Sequence, residues 1–381
     1  NYFQAMLIQF AFFSAYLLFS VPWARVIDWI GYKRTMVVGL LTMALGAFLF
    51  IPAAAAASYP LFLAALMVLA AGITALQVAA NPYVSVLGPE RTASSRLNLA
   101  QAVNSLGHTT APWVGGLLIL SAAPLSMEAL RRMSVEAQQA YRIHEASSVK
   151  LPYLVVGLAL LTLGVTIARF KLPPMPTVER HVAAGASKSL RNYPHLLLGV
   201  VGIFLYVGAE VAIGSLLISY LIQPEIGNIS RTLAASLVGF CYWGGAMMGR
   251  FIGSAVLQKL QTRMVLAIAA VMACLLVCTS MLTFGHVAMW SLILVGFFNS
   301  VMFPGIFTLG IARLGPRTGD ASGLLVMAIV GGAVIPPATG WLADHIGIHH
   351  SFILPATCYL YIVFYALKGC VSRRAHELSQ L

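Results

Sequence analysis

Amides and hydroxyls recur at helical spacing inside stretches that are otherwise apolar. Thr74, Gln77, Asn81 and Ser85 stand at i, i+3, i+7 and i+11, and Gln101, Asn104, Ser105 and His108 at i, i+3, i+4 and i+7. Gln9, Tyr16 and Ser20 form a third set near the start of the chain. Residues so spaced share one helix face. Amides pair donors with acceptors and aromatic rings offer flat apolar faces, so such stripes suit the hydroxyls and C–H surfaces of a sugar. A drug or lipid carrier would need fewer amides. Any one amide could instead bond a neighbouring helix, but three parallel stripes argue for a water-filled path. Glu210, in YVGAEVAIGS, is the one acid of eleven deep in an apolar stretch. An ionised carboxylate there is costly, so the group must be protonated or paired. Its candidate role is substrate binding or ion coupling, against the alternative of a structural ion pair. His108 is the other titratable group at depth. It is a candidate proton relay, weighed against a neutral hydrogen-bonded ring.

The elements holding these residues must cross a membrane. Of 381 residues, 60% are hydrophobic and 9% charged, against roughly 25% charged in soluble domains. A span needs about 20 apolar residues. Suitable runs occur at 1–24, 36–57, 61–88, 97–121, 151–168, 196–223, 232–249, 264–285, 287–312, 321–343 and 351–367. Basic residues orient them: of 23, only Arg131, Arg132, Arg142, Lys150 and Arg231 fall on one side. The others, including Arg25, Lys33, Arg34, Arg91, Arg96, Arg250 and Lys259, fall on the opposite side, which the positive-inside rule makes cytoplasmic. The formal charge of +12 then reflects topology rather than nucleic-acid binding. A cytoplasmic C-terminus and an even number of spans call for one more helix ahead of Asn1. Cys241, Cys274, Cys278, Cys358 and Cys370 show no metal-ligand or CxxC spacing and read as small hydrophobes. There is no Walker loop, GxSxG or HExxH motif.

The chain also repeats itself. LGPERTASS begins at Leu87 and LGPRTGDAS at Leu314, and Gly107, Pro112 and Gly115 share their spacing with Gly332, Pro337 and Gly340. A stretch rich in proline, charge and small residues, KLPPMPTVERHVAAGASKS, separates the copies as a linker at 171–194. The expected division is 1–170, five visible helices of a first bundle, and 195–381, six helices of a second. Two related six-helix halves resemble the major-facilitator fold, which sets a substrate site near the midplane between them. ARVIDWIGYKRT resembles that family's loop motif at Asp28, Gly31 and Lys33, and departs from it at Ala24, Trp29 and Tyr32. Asp28 beside Arg25, Lys33 and Arg34 reads as an ion-pair latch of a gating loop. Pro82, Pro112, Pro304 and Pro337 should kink their helices.

LQVAANPYVSVLGP, RLNLAQAVNSLG, YVGAEVAIGS, NSVMFPGIFTLGIARLG and GGAVIPPATGWLAD resemble the fucose–proton symporter family, nearest its glucose/galactose branch. The resemblance implies uptake of a hexose by alternating access at a bacterial inner membrane, coupled to protons or, in some relatives, sodium, with no other cofactor. The family's sugar-binding Asn falls on Asn104 and the Gln of the same motif on Gln101. Its acid before AANP is replaced by Gln77, while the Gln of its YVGA motif is replaced by Glu210. The coupling charge is therefore expected to have moved to Glu210. The expected cavity lining is Gln9, Tyr16, Gln77, Asn81, Gln101, Asn104, Tyr206, Glu210, Asn299 and Trp243, with Trp243 and Phe303 as sugar-stacking rings. The expected partners are a small sugar and the lipid bilayer, for a monomer that binds no nucleic acid. The competing readings are a major-facilitator exporter of sugars or drugs, and a membrane receptor or embedded enzyme. The last lacks a nucleophile with its base.

Overall fold

The computed structural model describes residues 2–119, 132–173 and 190–370; these hold helices and turns, and no strand. The helices are α1, Tyr2–Ala55; α2, Tyr59–Val86; α3, Ala93–Ile119; α4, Val135–Ser147; and α5, Lys150–Arg169. There follow α6, Pro194–Leu221; α7, Arg231–Leu237; and α8, Gly244–Lys259, with a π-turn at Val238–Trp243 between the last two. Then come α9, Thr262–Leu282; α10, Gly285–Asn299; α11, Met302–Ile311; α12, Thr318–Met327; α13, Gly331–Ile346; α14, Ile348–Ser351; and α15, Ile353–Phe364.

Among the described residues, eight helical stretches are long and apolar enough to cross a membrane. The first, Ile8–Ala55, comprises two spans that meet at Gly31, whose φ of 78° and ψ of 168° break the helix. Counting these two separately, and adding α3 and the α7–α8 stretch, recovers the eleven expected segments. The last two are more polar: α3 carries an amide stripe, and α7–α8 is interrupted and holds Arg231 and Arg250. The basic turn expected between the first two spans is therefore a single non-helical residue, and Arg25, Asp28, Lys33 and Arg34 all sit on helix.

The chain forms two compact units, one within Asn1–Ala80 and Thr110–Leu172, the other within Asn81–Thr109 and Pro173–Leu381. In the first unit, α1 packs along α5. Phe50 stacks on Tyr153 with ring centroids 3.9 Å apart. Small residues bring α1 and α2 close: a Cβ at Gly39 would lie 2.9 Å from the Ala75 Cβ. Such small-residue crossings replace the hydrophobic drive that lipid removes. Trp23 donates to the Ala71 carbonyl at 2.9 Å, and Lys33 Nζ to the Ala168 carbonyl at the end of α5 at 2.8 Å. Lys33 thus serves the end of α5, where cations are favoured.

In the second unit, α6 is central, flanked by α11, α13 and α15, while α9 packs on α10 and α15. A Cβ at Gly331 would overlap the Phe204 carbonyl, so α13 can approach α6 only as glycine. The two repeat copies share local structure: each forms a 3₁₀ turn, at Glu90–Thr92 and Gly315–Arg317, that leads directly into a helix. In the first copy Arg96 closes the turn. Its guanidinium donates to the carbonyls of Val84, Ser85 and Pro89 at 3.1, 2.5 and 3.1 Å and to Thr92 Oγ1 at 2.6 Å. It satisfies carbonyls that the end of α2 leaves without helical partners.

The compact units cut across the division at 170 expected from chain order, because Asn81–Thr109 packs with the later helices. The expected linker lies mostly on 174–189, outside the described residues.

Candidate substrate and coupling site

The hydroxyls and amides of the stripes behave differently. Ser20, Thr74 and Ser85 turn back onto their own helices and donate to the carbonyls of Tyr16, Ala70 and Asn81. Ser105 does the same toward Gln101 at 2.9 Å. Such bonds satisfy a hydroxyl in an apolar setting and need no ligand. The amides instead bond one another. Gln101 Nε2 donates to Asn81 Oδ1 at 3.4 Å, and Asn104 Nδ2 to Gln101 Oε1 at 3.3 Å. Asn81 is buried at one end of this chain and Asn104 is exposed at the other. Both contacts are long, which leaves Gln101 and the exposed Asn104 able to exchange them for a partner.

In the first unit, Tyr16 is buried, and Gln9 and Gln77 are half-buried on α1 and α2. The side chain of His108 lies outside the described residues.

A second polar group gathers around Asn299. Pro304, near the start of α11, has no N–H to return to the Ser300 carbonyl, and the helix breaks between Asn299 and Met302. Two carbonyls at the break turn outward to side chains. Tyr206 donates to the Asn299 carbonyl at 3.0 Å and Arg250 Nε to the Ser300 carbonyl at 3.4 Å. The Asn299 amide is fully buried and both its ends are occupied: Tyr359 donates to Oδ1 at 2.8 Å, and Nδ2 donates to the Tyr242 hydroxyl at 3.3 Å. Tyr242 in turn donates to the backbone carbonyl of Glu210 at 3.4 Å. Tyr242 lies in the π-turn, a helix irregularity often found at functional positions. Trp243 next to it is half-buried and packs edge-on to Tyr242, with centroids 5.1 Å apart. Phe303 stacks with Phe307.

Glu210 has a partner that the sequence did not reveal. Arg250 Nη2 lies 4.0 Å from Glu210 Oε1, with the two side chains 12% and 13% exposed. Arg250 Nη1 also donates to Ser105 Oγ on α3. Glu210 Oε1 accepts no hydrogen bond, so the pair is held by charge alone. The apolar run ends at 249, which by sequence puts Arg250 in a cytoplasmic loop. In the structure α8 continues to Lys259, nine residues further on, or about 13 Å of helix. Glycines seat α8 against the helix break: a Cβ at Gly249 would lie 2.6 Å from the Phe297 carbonyl. The signal that could have found Arg250 is the pattern G-x-x-x-G-R-x-x-G at Gly245–Gly253, which marks a close helix crossing rather than a loop.

The same unit holds an interlock of hydroxyls between α3 and the later helices. Ser94 Oγ lies 2.5 Å from Thr308 Oγ1 and 2.8 Å from Thr262 Oγ1. Ser95 Oγ donates to the Ser254 carbonyl at 2.7 Å, and Ser254 Oγ to the Ser95 carbonyl at 3.0 Å. Asn98 Nδ2 donates to the Arg250 carbonyl at 2.6 Å. Arg25, Asp28 and Arg34 are exposed on α1.

Comparison with known proteins shows the family of the chain. The family model described as Major Facilitator Superfamily matches residues 1–335. A glucose/galactose transporter of Brucella abortus biovar 1 (strain 9-941) is 48% identical over 372 residues, covering 98% of this chain and 87% of the relative. The L-fucose-proton symporter of Escherichia coli K12 is 37% identical over 373 residues, covering 96% and 84%. A crystal structure of the Escherichia coli fucose:proton symporter matches with a TM-score of 0.88 at 36% identity, covering 96% of this chain and 90% of that one. The chain is a multi-pass membrane protein of the major facilitator superfamily and belongs to its fucose–proton symporter family of sugar transporters.

Proposed function

We propose that this chain imports a hexose of the glucose/galactose or fucose type by alternating access, driven by protons, as a monomer in a bacterial inner membrane with its C-terminus cytoplasmic. The observation that carries this reading is the amide chain Asn81–Gln101–Asn104, set in the same compact unit as a buried carboxylate–guanidinium pair. Amides offer a donor and an acceptor side by side, which suits sugar hydroxyls. A buried carboxylate is a group that a proton can neutralise.

Asn104 and Gln101 are the first sugar contacts, with Asn81 behind them. Trp243 is assigned to the same lining, and Gln9, Tyr16 and Gln77 are kept as candidate sugar contacts of the first unit. Tyr206 and Asn299 shape the lining by holding the α10–α11 break. Glu210 is the coupling carboxylate, and His108 is assigned as an auxiliary relay. Asp28 with Arg25, Lys33 and Arg34, on the helix ends that meet at Gly31, is assigned as the gating element, and the hydroxyl interlock of Ser94 and Ser95 must part in each cycle. The two transport bundles are assigned from the sequence repeat as 1–170 and 195–381, joined through 171–194, a division by chain order that the compact units do not follow.

The test is uptake of radiolabelled glucose in proteoliposomes under an imposed proton gradient, with a panel of hexoses and an imposed sodium gradient as competitors and control. Accumulation driven by protons and blocked by a subset of hexoses is expected. Glu210→Gln should keep exchange of sugar without a gradient and lose accumulation. Accumulation that survives Glu210→Gln with its pH dependence unchanged would overturn the assignment of Glu210. Absence of any hexose-specific transport would overturn the function.

A further inference from the structure

Arg250 touches three elements at once. Nη2 faces Glu210 on α6 at 4.0 Å, Nη1 donates to Ser105 on α3, and Nε donates to the Ser300 carbonyl at the α10–α11 break. Its own carbonyl accepts from Asn98 on α3 at 2.6 Å. α3 is therefore fastened to α8 at one residue, through side chain and backbone. Ser105 also donates to the Gln101 carbonyl and is the neighbour of Asn104, so its position bears on both candidate sugar amides.

The surroundings leave one group near the pair able to change charge at ordinary pH. α6 brings Glu210 and Tyr206, the π-turn Tyr242, and α15 Tyr359. α3 brings Ser105 and Asn98, and the helix break Asn299 and Ser300. Among these described side chains Glu210 is the one carboxyl; phenols ionise near pH 10 and arginine stays charged.

We propose that Arg250 is a positioning residue that carries the protonation state of Glu210 to the sugar-binding amides of α3, an inference that rests on the transport reading above. With Glu210 ionised, the guanidinium is shared between the carboxylate and Ser105. When Glu210 takes a proton, that attraction is lost and the buried charge must be satisfied by Ser105 and the Ser300 carbonyl. A buried charge left without partners is strongly unfavourable, so the grip on α3 tightens. Gln101 and Asn104 are then held in place for sugar. When the proton leaves, the grip loosens and the sugar is released. The charge is shared along a chain of contacts that has two discrete arrangements, which is what coupling between sites requires.

The test uses the full chain reconstituted in liposomes, with Glu210→Gln, Arg250→Gln and Ser105→Ala. The first readout needs no sugar: the infrared carboxyl band that Glu210→Gln removes. It is expected to titrate as in the parent in Ser105→Ala, and to show the acid form already at neutral pH in Arg250→Gln. The second readout is the half-saturating glucose concentration for exchange without a gradient, from mildly acidic to mildly alkaline pH. The parent should lose affinity about fivefold or more across that range, a modest coupling. Glu210→Gln should hold the high-affinity value at every pH. Ser105→Ala should hold the low-affinity value at every pH, although its Glu210 still titrates. Should Arg250→Gln fail to fold, Ser105→Ala decides, and retention of the parent's pH dependence in that variant would overturn the inference. If the parent exchanges no hexose at all, the transport reading falls instead. The infrared band then decides: an unmoved band in Arg250→Gln sinks the inference, and a moved band upholds the link between the two residues.

Discussion

At the scale of single residues, burial decides what each polar group can do. Asn299 has no exposure and spends its whole amide on Tyr359 and Tyr242. It is better placed to hold the helix break than to meet a ligand in this conformation. Tyr359→Phe would leave Asn299 Oδ1 buried without a donor, which costs about 1–3 kcal/mol. Unfolding of the purified variant in detergent should show that loss, with the helix content unchanged before the transition. An unshifted midpoint would mean that a water or another side chain takes the place of the phenol.

The same scale marks what the sequence made legible. Glu210 was visible because an acid inside an apolar run has few bland explanations. Arg250 was not, because a basic residue at the end of an apolar run is ordinarily a snorkelling loop residue. Only the packing of α8 against the helix break takes it inside. Spacing placed Asn81 in one polar stripe and Gln101 with Asn104 in a second. Their hydrogen-bonded order was not legible, since it depends on how α2 and α3 face each other.

Elements carry a second layer of instruction in their irregularities. Apolar length located the spans, and the shared LGP turns located the repeat. The π-turn at Val238–Trp243 left no sequence signature, nor did the extension of helix through the basic stretch Arg25–Arg34 up to either side of Gly31. α4 was also unanticipated. It starts at Ser134, whose side chain accepts from the Ala137 N–H at 3.2 Å, with Glu136 in its first turn, the ordinary features of a helix start. Gly31 offers a clean test of a bend. Its φ is 78° and nothing lies within 4 Å of the position a Cβ would take. Gly31→Ala should therefore cost about 1–3 kcal/mol through backbone strain alone, without a clash, because its φ and ψ lie in a region essentially confined to glycine. Gly340, on α13, has equally open space and no positive φ. Gly340→Ala should leave stability unchanged or raise it by a few tenths of a kcal/mol. Comparing the two variants' thermal transitions separates strain from packing, and equal shifts would remove the argument.

At the scale of the whole molecule, orientation and movement are the properties to test. The proposed orientation, drawn from the charge bias, would have Asn228, between α6 and α7, outside and Gln261, between α8 and α9, inside. In a background with all five cysteines replaced, Asn228→Cys should react with an impermeant maleimide in intact cells, and Gln261→Cys only after permeabilisation. The reverse pattern would invert the topology and make the proposed direction of transport untenable. Movement can be probed at the interlock. Ser95 and Ser254 hold each other reciprocally, with hydroxyl oxygens 3.2 Å apart. In the same background, oxidising the pair Ser95→Cys and Ser254→Cys should form a disulfide that stops transport, and a reductant should restore it. Each single variant under the same oxidant should remain active, which separates locking from chemical damage. A disulfide-linked protein that still transports at the parent rate would mean that α3 and α8 move as one body, and the parting required by alternating access would have to be sought on another pair of helices.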